Sequence, residues 1–217
     1  MPTITENIAS IKKQMAPSVT LLAVVKNVSN EKIFEALCAG INVIGENRIQ
    51  EAAPRNMEIR QKFPGVKVHF IGHLQKNKIN QALEMFDVIE SVDSYELAVA
   101  INKRATTKVE IFIEINTSGE KSKFGVSPGD AFDLICRISN LEHLRLTGLM
   151  TIGANTIDQN RIRECFRKLR ELRDLANKNG FQNIKHLSMG MSDDFLVAIE
   201  EGSDIIRIGS AIFGRRE

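Results

Sequence analysis

SVTLLAVVKNVSNEKIFEALCAGINVIG (residues 18–45) contains the unit from which the whole chain is built. Its first eight residues, SVTLLAVV, are too continuously apolar for a half-exposed antiparallel strand and suit a strand covered on both faces. NEKIFEALCAG (30–40) follows with charges and apolar residues at helical spacing, and Gly40 stands where a helix C-cap is expected. INVIG (41–45) then returns to a short apolar run. The same alternation continues outward through VKVHFIG (66–72), DVIESV (87–92), VEIFIEI (109–115), HLRLTGLM (143–150), IKHLSM (184–189) and DIIRIG (204–209). Charged helix-period segments fill the gaps at 46–63, 74–86, 93–105, 129–140, 158–180 and 193–202. Gly180 and Gly202 occupy further C-cap positions, and Ser29, Ser94 and Ser192 occupy N-cap positions. A helix over 3–16 precedes the first strand, and a short last helix starts near Ile212. Eight βα units of about 25 residues each predict an α/β fold, a single (β/α)8 TIM barrel that takes in residues 1–217 as one domain. An open doubly wound sheet is the alternative; the even spacing and the lack of a long insertion favour the barrel.

Composition narrows the function. Hydrophobic residues make up 43% and charged residues 26%, which excludes wholesale disorder. The 29 basic and 27 acidic side chains leave a net charge of +2, too balanced for nucleic acid or an anionic membrane as main partner. Trp is absent and Tyr95 is the one tyrosine, so a platform for stacking single-stranded bases is not expected. Cys38, Cys136 and Cys165 are scattered, which suits buried thiols in a reducing compartment. The histidines at 69, 73, 143 and 186 form no metal-ligand pattern. The start, MPTITENIASIKKQM, lacks a signal-type apolar stretch and no run would span a bilayer, so a cytoplasmic monomer is expected.

In a barrel, chemistry belongs at the C-terminal ends of the strands. The first strand ends in Lys26. A lysine desolvated at a barrel mouth has a lowered pKa, and its neutral amine attacks a carbonyl to form a Schiff base. The plainer reading is a lysine that snorkels into solvent. The seventh strand runs into Ser188-Met189-Gly190-Met191-Ser192 and the eighth into Gly209-Ser210. Together these small-residue turns resemble the phosphate cup that barrels build after strands seven and eight; capping of the next helix by Ser192 is the competing account. A lysine at one side and a phosphate cup at the other describe a ligand with an aldehyde and a phosphate, the form of pyridoxal phosphate. Arg207, on the side of the strand shared with Gly209, could then donate to the ring nitrogen and keep it unprotonated, which makes a poor electron sink. A salt bridge to Asp204 or Glu201 is the alternative.

At these residues the chain resembles the pyridoxal-phosphate homeostasis protein family, single-domain relatives of the alanine racemase barrel. The matching stretches are LLAVVKNVSNEKIFEALCAGINVIGENRIQEA, HFIGHLQKNK, ESVDSYELA, INTSGEKSKFGV, LTGLMTIG and LSMGMSDDFLVAIEEGSDIIRIGSAIFG. The resemblance implies a covalent aldimine of pyridoxal 5′-phosphate on Lys26, phosphate contacts from Ser188, Ser192, Gly209 and Ser210 around Gly190, a ring-facing Arg207, and pocket walls from Asn47, His73 and Met150. Val25, Arg48 and Gly153 depart from the residues common in the family at those places, all at the pocket's periphery.

The resemblance implies a carrier that holds the cofactor without turnover, with apoenzymes that depend on it as recipients. A racemase or decarboxylase would need a second base; Tyr95 belongs on a helix outside the barrel, and His73 could equally bond backbone. A Schiff-base aldolase would need a carboxylate near Lys26, for which Glu46 and Glu114 are candidates. Asn116 is expected to shape the loop 116–127, Lys121 and Lys123 to be solvated, the methionines at 150, 189 and 191 to line the mouth, and helix 161–178 to present a solvated face.

Overall fold

The apolar runs become eight parallel strands that close on one another in chain order, so that the first pairs with the last. The computed structural model describes residues 2–214. The strands are β1 (Thr20–Val24), β2 (Val43–Glu46), β3 (Lys67–Phe70), β4 (Val88–Val92), β5 (Val109–Glu114), β6 (Leu144–Met150), β7 (His186–Ser188) and β8 (Ile205–Ile208). The helices are α1 (Ile4–Lys12), α2 (Asn30–Cys38), α3 (Ile49–Lys62), α4 (Ile79–Met85), α5 (Tyr95–Asn102), α6 (Ala131–Ile138), α7 (Gln159–Lys178), α8 (Phe195–Glu200) and α9 (Ser210–Phe213). Closure rules out the open doubly wound sheet.

Strand periodicity divides the core in two. Residues such as Ala23, Ile44, Ile113, Leu149, Ile206 and Ile208 face outward and pack beneath the helices. Leu22, Val43, Val88, Phe112, Met150 and Ile205 form a separate apolar cluster from six different strands, which is the barrel interior. Burial on both faces explains why the strands read as unbroken apolar runs. The C-cap glycines Gly40, Gly180 and Gly202 all adopt left-handed backbone, with φ of +84°, +96° and +94°. Ser94 caps α5 by accepting from the Leu97 N–H at 3.4 Å. Ser29 sits at the N-cap of α2 without a side-chain bond.

The charged face of α7 is not wholly solvated. Arg163, Arg167 and Arg170 converge on the buried carboxylate of Glu201, at 3.1, 3.5 and 2.8 Å, and tie α7 to the end of α8. Helical spacing alone shows only that these arginines share a side of the helix; their target lies on the following one.

Glycine makes room inside the barrel. A Cβ on Gly148 would come within 2.9 Å of both the Phe112 ring and the His186 Cβ. Gly148→Ala therefore overpacks this layer and should destabilise the fold by about 1–3 kcal/mol. Gly65→Ala, whose Cβ would meet nothing within 4 Å, should stay within about 0.5 kcal/mol of the parent. Urea denaturation of the two variants measures the difference.

Candidate functional site: a lysine-bearing pocket at the barrel mouth

A cavity of about 520 Å³ opens at the C-terminal ends of the strands, lined by Val24, Lys26, Asn47, Met191, Ser192, Asp193, Arg207, Gly209 and Ser210. It gathers Lys26, Asn47, Ser192, Arg207, Gly209 and Ser210 from four separate loops or strands. Lys26 stands two residues past the end of β1 and is half-buried at the rim rather than sealed from solvent. The Asn47 Oδ1 is buried and finds no partner within the protein.

Arg207 is buried inside the barrel. One Nη donates to the Ser188 hydroxyl and the other to the Thr151 carbonyl, each at 2.8 Å. Two of its five donors are thus used by the protein, and the guanidinium lines the pocket. Burial pulls its pKa down, and the charges of Glu90, Glu114 and Asp194 oppose that shift. The alternative partners are occupied elsewhere. Asp204 bonds the His186 Nδ1 and the Leu187 N–H, both at 2.6 Å, and Glu201 holds the arginines of α7.

Beneath Arg207 runs a polar chain that the sequence did not single out. The Ser188 hydroxyl donates to Glu90 at 2.5 Å, and the other Glu90 oxygen lies 2.6 Å from the His69 Nδ1. Burial pushes the Glu90 pKa up, but the bond and charge of His69, the charge of Arg207 and the Ser188 hydroxyl outweigh it and hold the group below its ordinary value. The available signal was Glu90 itself, a carboxylate inside the apolar run DVIESV, which cannot be buried without partners.

Ser192 does not cap the following helix. The N-cap of α8 is Asp194, which accepts from the Met191 N–H at 2.6 Å. The Ser192 hydroxyl instead accepts from the Ala211 N–H at 3.2 Å and joins the two turns expected to form the cup. Gly190 is needed for packing: its φ is +95°, a Cβ there would lie 2.6 Å from that of Ala198, and its carbonyl takes the Arg207 N–H at 2.9 Å.

Five residues singled out in the sequence, Ser188, Gly190, Met150, Met189 and His73, stand outside this lining. Ser188 and Gly190 support Arg207 from below and behind. Met150 belongs to the barrel's apolar interior. Met189 is buried under the helices, and Met191 is the methionine that reaches the pocket. His73 lines a smaller neighbouring cavity that shares Asn47; its ring stacks on Phe124 with centroids 4.0 Å apart and lies 3.6 Å from Asp93.

Asn116 does shape its loop, donating to the carbonyls of Glu120 and Lys123. Lys123 is not solvated: it donates to Glu120 at 2.7 Å and to the Gly153 carbonyl at 2.6 Å. These contacts wall a second cavity of about 560 Å³ that borders the first along Met191 and Asp193 and lacks Lys26 and Arg207. Neither aldolase candidate serves Lys26 directly. Glu46 points into the helix layer toward Arg55 at 3.6 Å. Glu114 is buried, and burial followed by repulsion from Asp93 raises its pKa to about 7 against the pull of Arg207. Among the described residues no cluster of His, Cys, Asp or Glu could hold a metal ion, and no helix is long and apolar enough to cross a membrane.

The pocket's chemistry suits a ligand with an electrophilic carbonyl toward Lys26, an anionic group toward Ser192 and Ser210, an acceptor for Arg207, and a donor for the orphaned Asn47 oxygen. Comparison with known proteins agrees in fold and in kind. A sequence profile for the alanine racemase N-terminal domain matches residues 1–217. The chain is 40% identical over 205 residues to the pyridoxal phosphate homeostasis protein of Vibrio alginolyticus, covering 92% of this chain and 88% of that one. PipY of Synechococcus elongatus, solved with PLP bound, matches with a TM-score of 0.89 and 33% identity over 98% of this chain and all of its own. An alanine racemase of Clostridium difficile, of which 60% is covered, matches with a TM-score of 0.84 at 16% identity and shares the fold.

Burial raises the Glu46 pKa to about 7 from an ordinary 4.5, with Arg55 opposing and Glu51 reinforcing the shift. Below pH 4.5 the carboxyl is protonated in both folded and unfolded chains. Between pH 4.5 and 7 the unfolded chain gives up the proton that the buried carboxyl keeps, so stability falls over that window, on the order of 3 kcal/mol in all, and levels off once the folded protein ionises too. Glu46→Gln should remove that part of the decline. Urea midpoints should fall between pH 5 and 8 in the parent and stay flatter in the variant.

Proposed function

The chain belongs to the alanine racemase N-terminal domain family and, within it, to the pyridoxal phosphate homeostasis proteins, and from that premise we propose that it binds pyridoxal 5′-phosphate as an aldimine on Lys26. It holds the cofactor for delivery to apoenzymes, acts as a single-domain cytoplasmic monomer, and turns nothing over itself. The observation that carries this reading is the shared pocket: a strand-end lysine, a buried arginine and the two small-residue turns after β7 and β8 line one cavity.

In this reading Lys26 would hold the cofactor by its amine, and the cofactor's aldehyde would supply the electrophile for an attachment that water can reverse. Ser192, Gly209 and Ser210 receive the phosphate, Gly209 by letting the backbone approach closely. Arg207 donates to the ring nitrogen. A guanidinium does not readily give up its proton, so that nitrogen stays unprotonated and withdraws fewer electrons.

Turnover would demand a base beside the substrate α-carbon. Apart from Lys26, the titratable groups lining the pocket are Arg207, a poor base, and Asp193, which is exposed. Tyr95 lies outside the barrel with the Arg137 guanidinium 3.9 Å from its ring centroid, and His73 is stacked on Phe124.

Borohydride reduction of the yellow complex should place the pyridoxyl-phosphate mass on the Lys26 peptide. An adduct on Lys121 or Lys123 would sink the assignment.

A panel of amino acids incubated in deuterated water should show at most slow α-proton exchange and no useful inversion by chiral chromatography. Rapid racemisation of one amino acid, lost in both Lys26→Ala and His73→Ala, would make the protein a racemase instead.

A further inference from the structure

Lys26 lies in a connection without regular structure, between β1 and α2. A lysine on a free loop would sweep its ammonium through a wide volume, because its stem has four rotatable carbons. This loop is not free. The Val25 N–H closes the sheet on the Gly45 carbonyl at 3.1 Å. On α3, the Arg55 Nη1 donates to the carbonyls of Val25 at 3.3 Å and Val28 at 3.1 Å. One turn earlier, Glu51 accepts the Asn27 N–H at 3.1 Å. Asn27 has φ of +55°, the one left-handed non-glycine backbone among the described residues. Such a conformation persists only where its surroundings impose it.

We propose that Arg55 is the positioning residue for Lys26: its guanidinium fastens the carbonyls on both sides of the lysine to α3, and the buried carboxyl of Glu46 holds that guanidinium in place. The role of Lys26 itself rests on the function proposed above.

Three features favour positioning over packing. First, Arg55 is buried and spends its donors on backbone: Nε bonds the Glu51 carbonyl at 2.9 Å while Nη1 bridges the two loop carbonyls. A fork of fixed geometry can do this; a flexible point charge cannot match it. Second, both Glu46 oxygens are buried without a hydrogen-bond partner, and Arg55, 3.6 Å away, is the cation they face. A buried, incompletely bonded ion pair is a poor source of stability compared with apolar side chains of similar volume. Its raised pKa records that cost. Third, the sites that the pair fastens are the residues bracketing the lysine.

The test compares Arg55→Met and Arg55→Lys with the parent by two rates. One is capture of pyridoxal phosphate, followed by absorbance and mapped after reduction. The other, which needs no cofactor, is reductive methylation of the apo-protein by formaldehyde and cyanoborohydride, with Lys26 labelling scored by mass against exposed Lys103. Releasing the loop should slow capture about tenfold in Arg55→Met, since small misplacements of a reacting group cost this much or more. The same release should speed methylation of Lys26, because the amine samples solvent more freely. Arg55→Lys, which keeps the charge and loses the fork, should fall between.

A folded Arg55→Met protein with both rates at the parent value would overturn the proposal and leave Arg55 a packing residue. Should that variant not fold, Glu51→Ala, which frees the Asn27 N–H and the exposed Arg48 guanidinium at a partly exposed site, must show the same opposed pair of changes at smaller amplitude. Unchanged rates there would also overturn it. A parent protein that never forms the Lys26 adduct would remove the cofactor reading, while the methylation arm would still decide for or against the clamp.

Discussion

A guanidinium inside the barrel is the constraint to which the rest of the mouth answers. Arg207 is buried in a strand whose other residues are isoleucine, and an unpaired charge there would cost far more than the fold can supply. Its partners come from around the barrel: Ser188 on the neighbouring β7, Thr151 after β6 and, through Ser188, Glu90 on β4 and then His69 on β3. Every member is bonded to the next, which is the condition under which a buried polar network rigidifies a core rather than weakening it. Such a network seldom adds stability over an apolar core of the same shape. What it provides is a set of donors held at fixed positions beside the lysine.

The barrel was legible because burial on both faces leaves an unmistakable trace, the unbroken apolar run, and because the runs recur at even spacing. The lysine and the arginine were legible for the same reason, as charges where an apolar run ends or is interrupted. What escaped was partnership. Glu90 interrupts DVIESV as visibly as Arg207 interrupts DIIRIG, yet pairing them requires knowing that β4 and β8 face each other across the interior. Arg55 reads as one more charge on a helix until α3 is seen to lie against the loop after β1. Ser192 has the right residue type and spacing for a cap, but α8 begins later at Phe195, and its hydroxyl is taken by the N-terminus of α9. Of the three methionines expected at the mouth, Met191 alone lines the pocket, while Met150 and Met189 turn into the two halves of the core, a difference of orientation that spacing does not show.

Loading and release make different demands on a site from catalysis, and the residues divide accordingly. To capture an aldehyde reversibly, a protein needs an amine held in place and a cradle for the remainder of the ligand; in the function proposed above, Lys26 on its tethered loop and the paired turns at Ser192 and Ser210 fill these roles. To go further and break a bond at a substrate carbon, it needs an electron sink and a second, aligned base. In the proposed complex Arg207 would work against the first, since a partner that keeps its own proton would leave the ring nitrogen without one. Among the groups lining the pocket the one carboxylate is Asp193, which is exposed, whereas a general base must stand within hydrogen-bond reach of the proton it takes. The half-buried placement of Lys26 points the same way. An amine sealed from water would favour a long-lived covalent adduct and a protected reaction, whereas one at the rim lets water or an incoming amine reach the same carbon and reverse the attachment. In the proposed function the polar network and the open rim act together: one fixes where the cofactor sits, and the other allows it to leave.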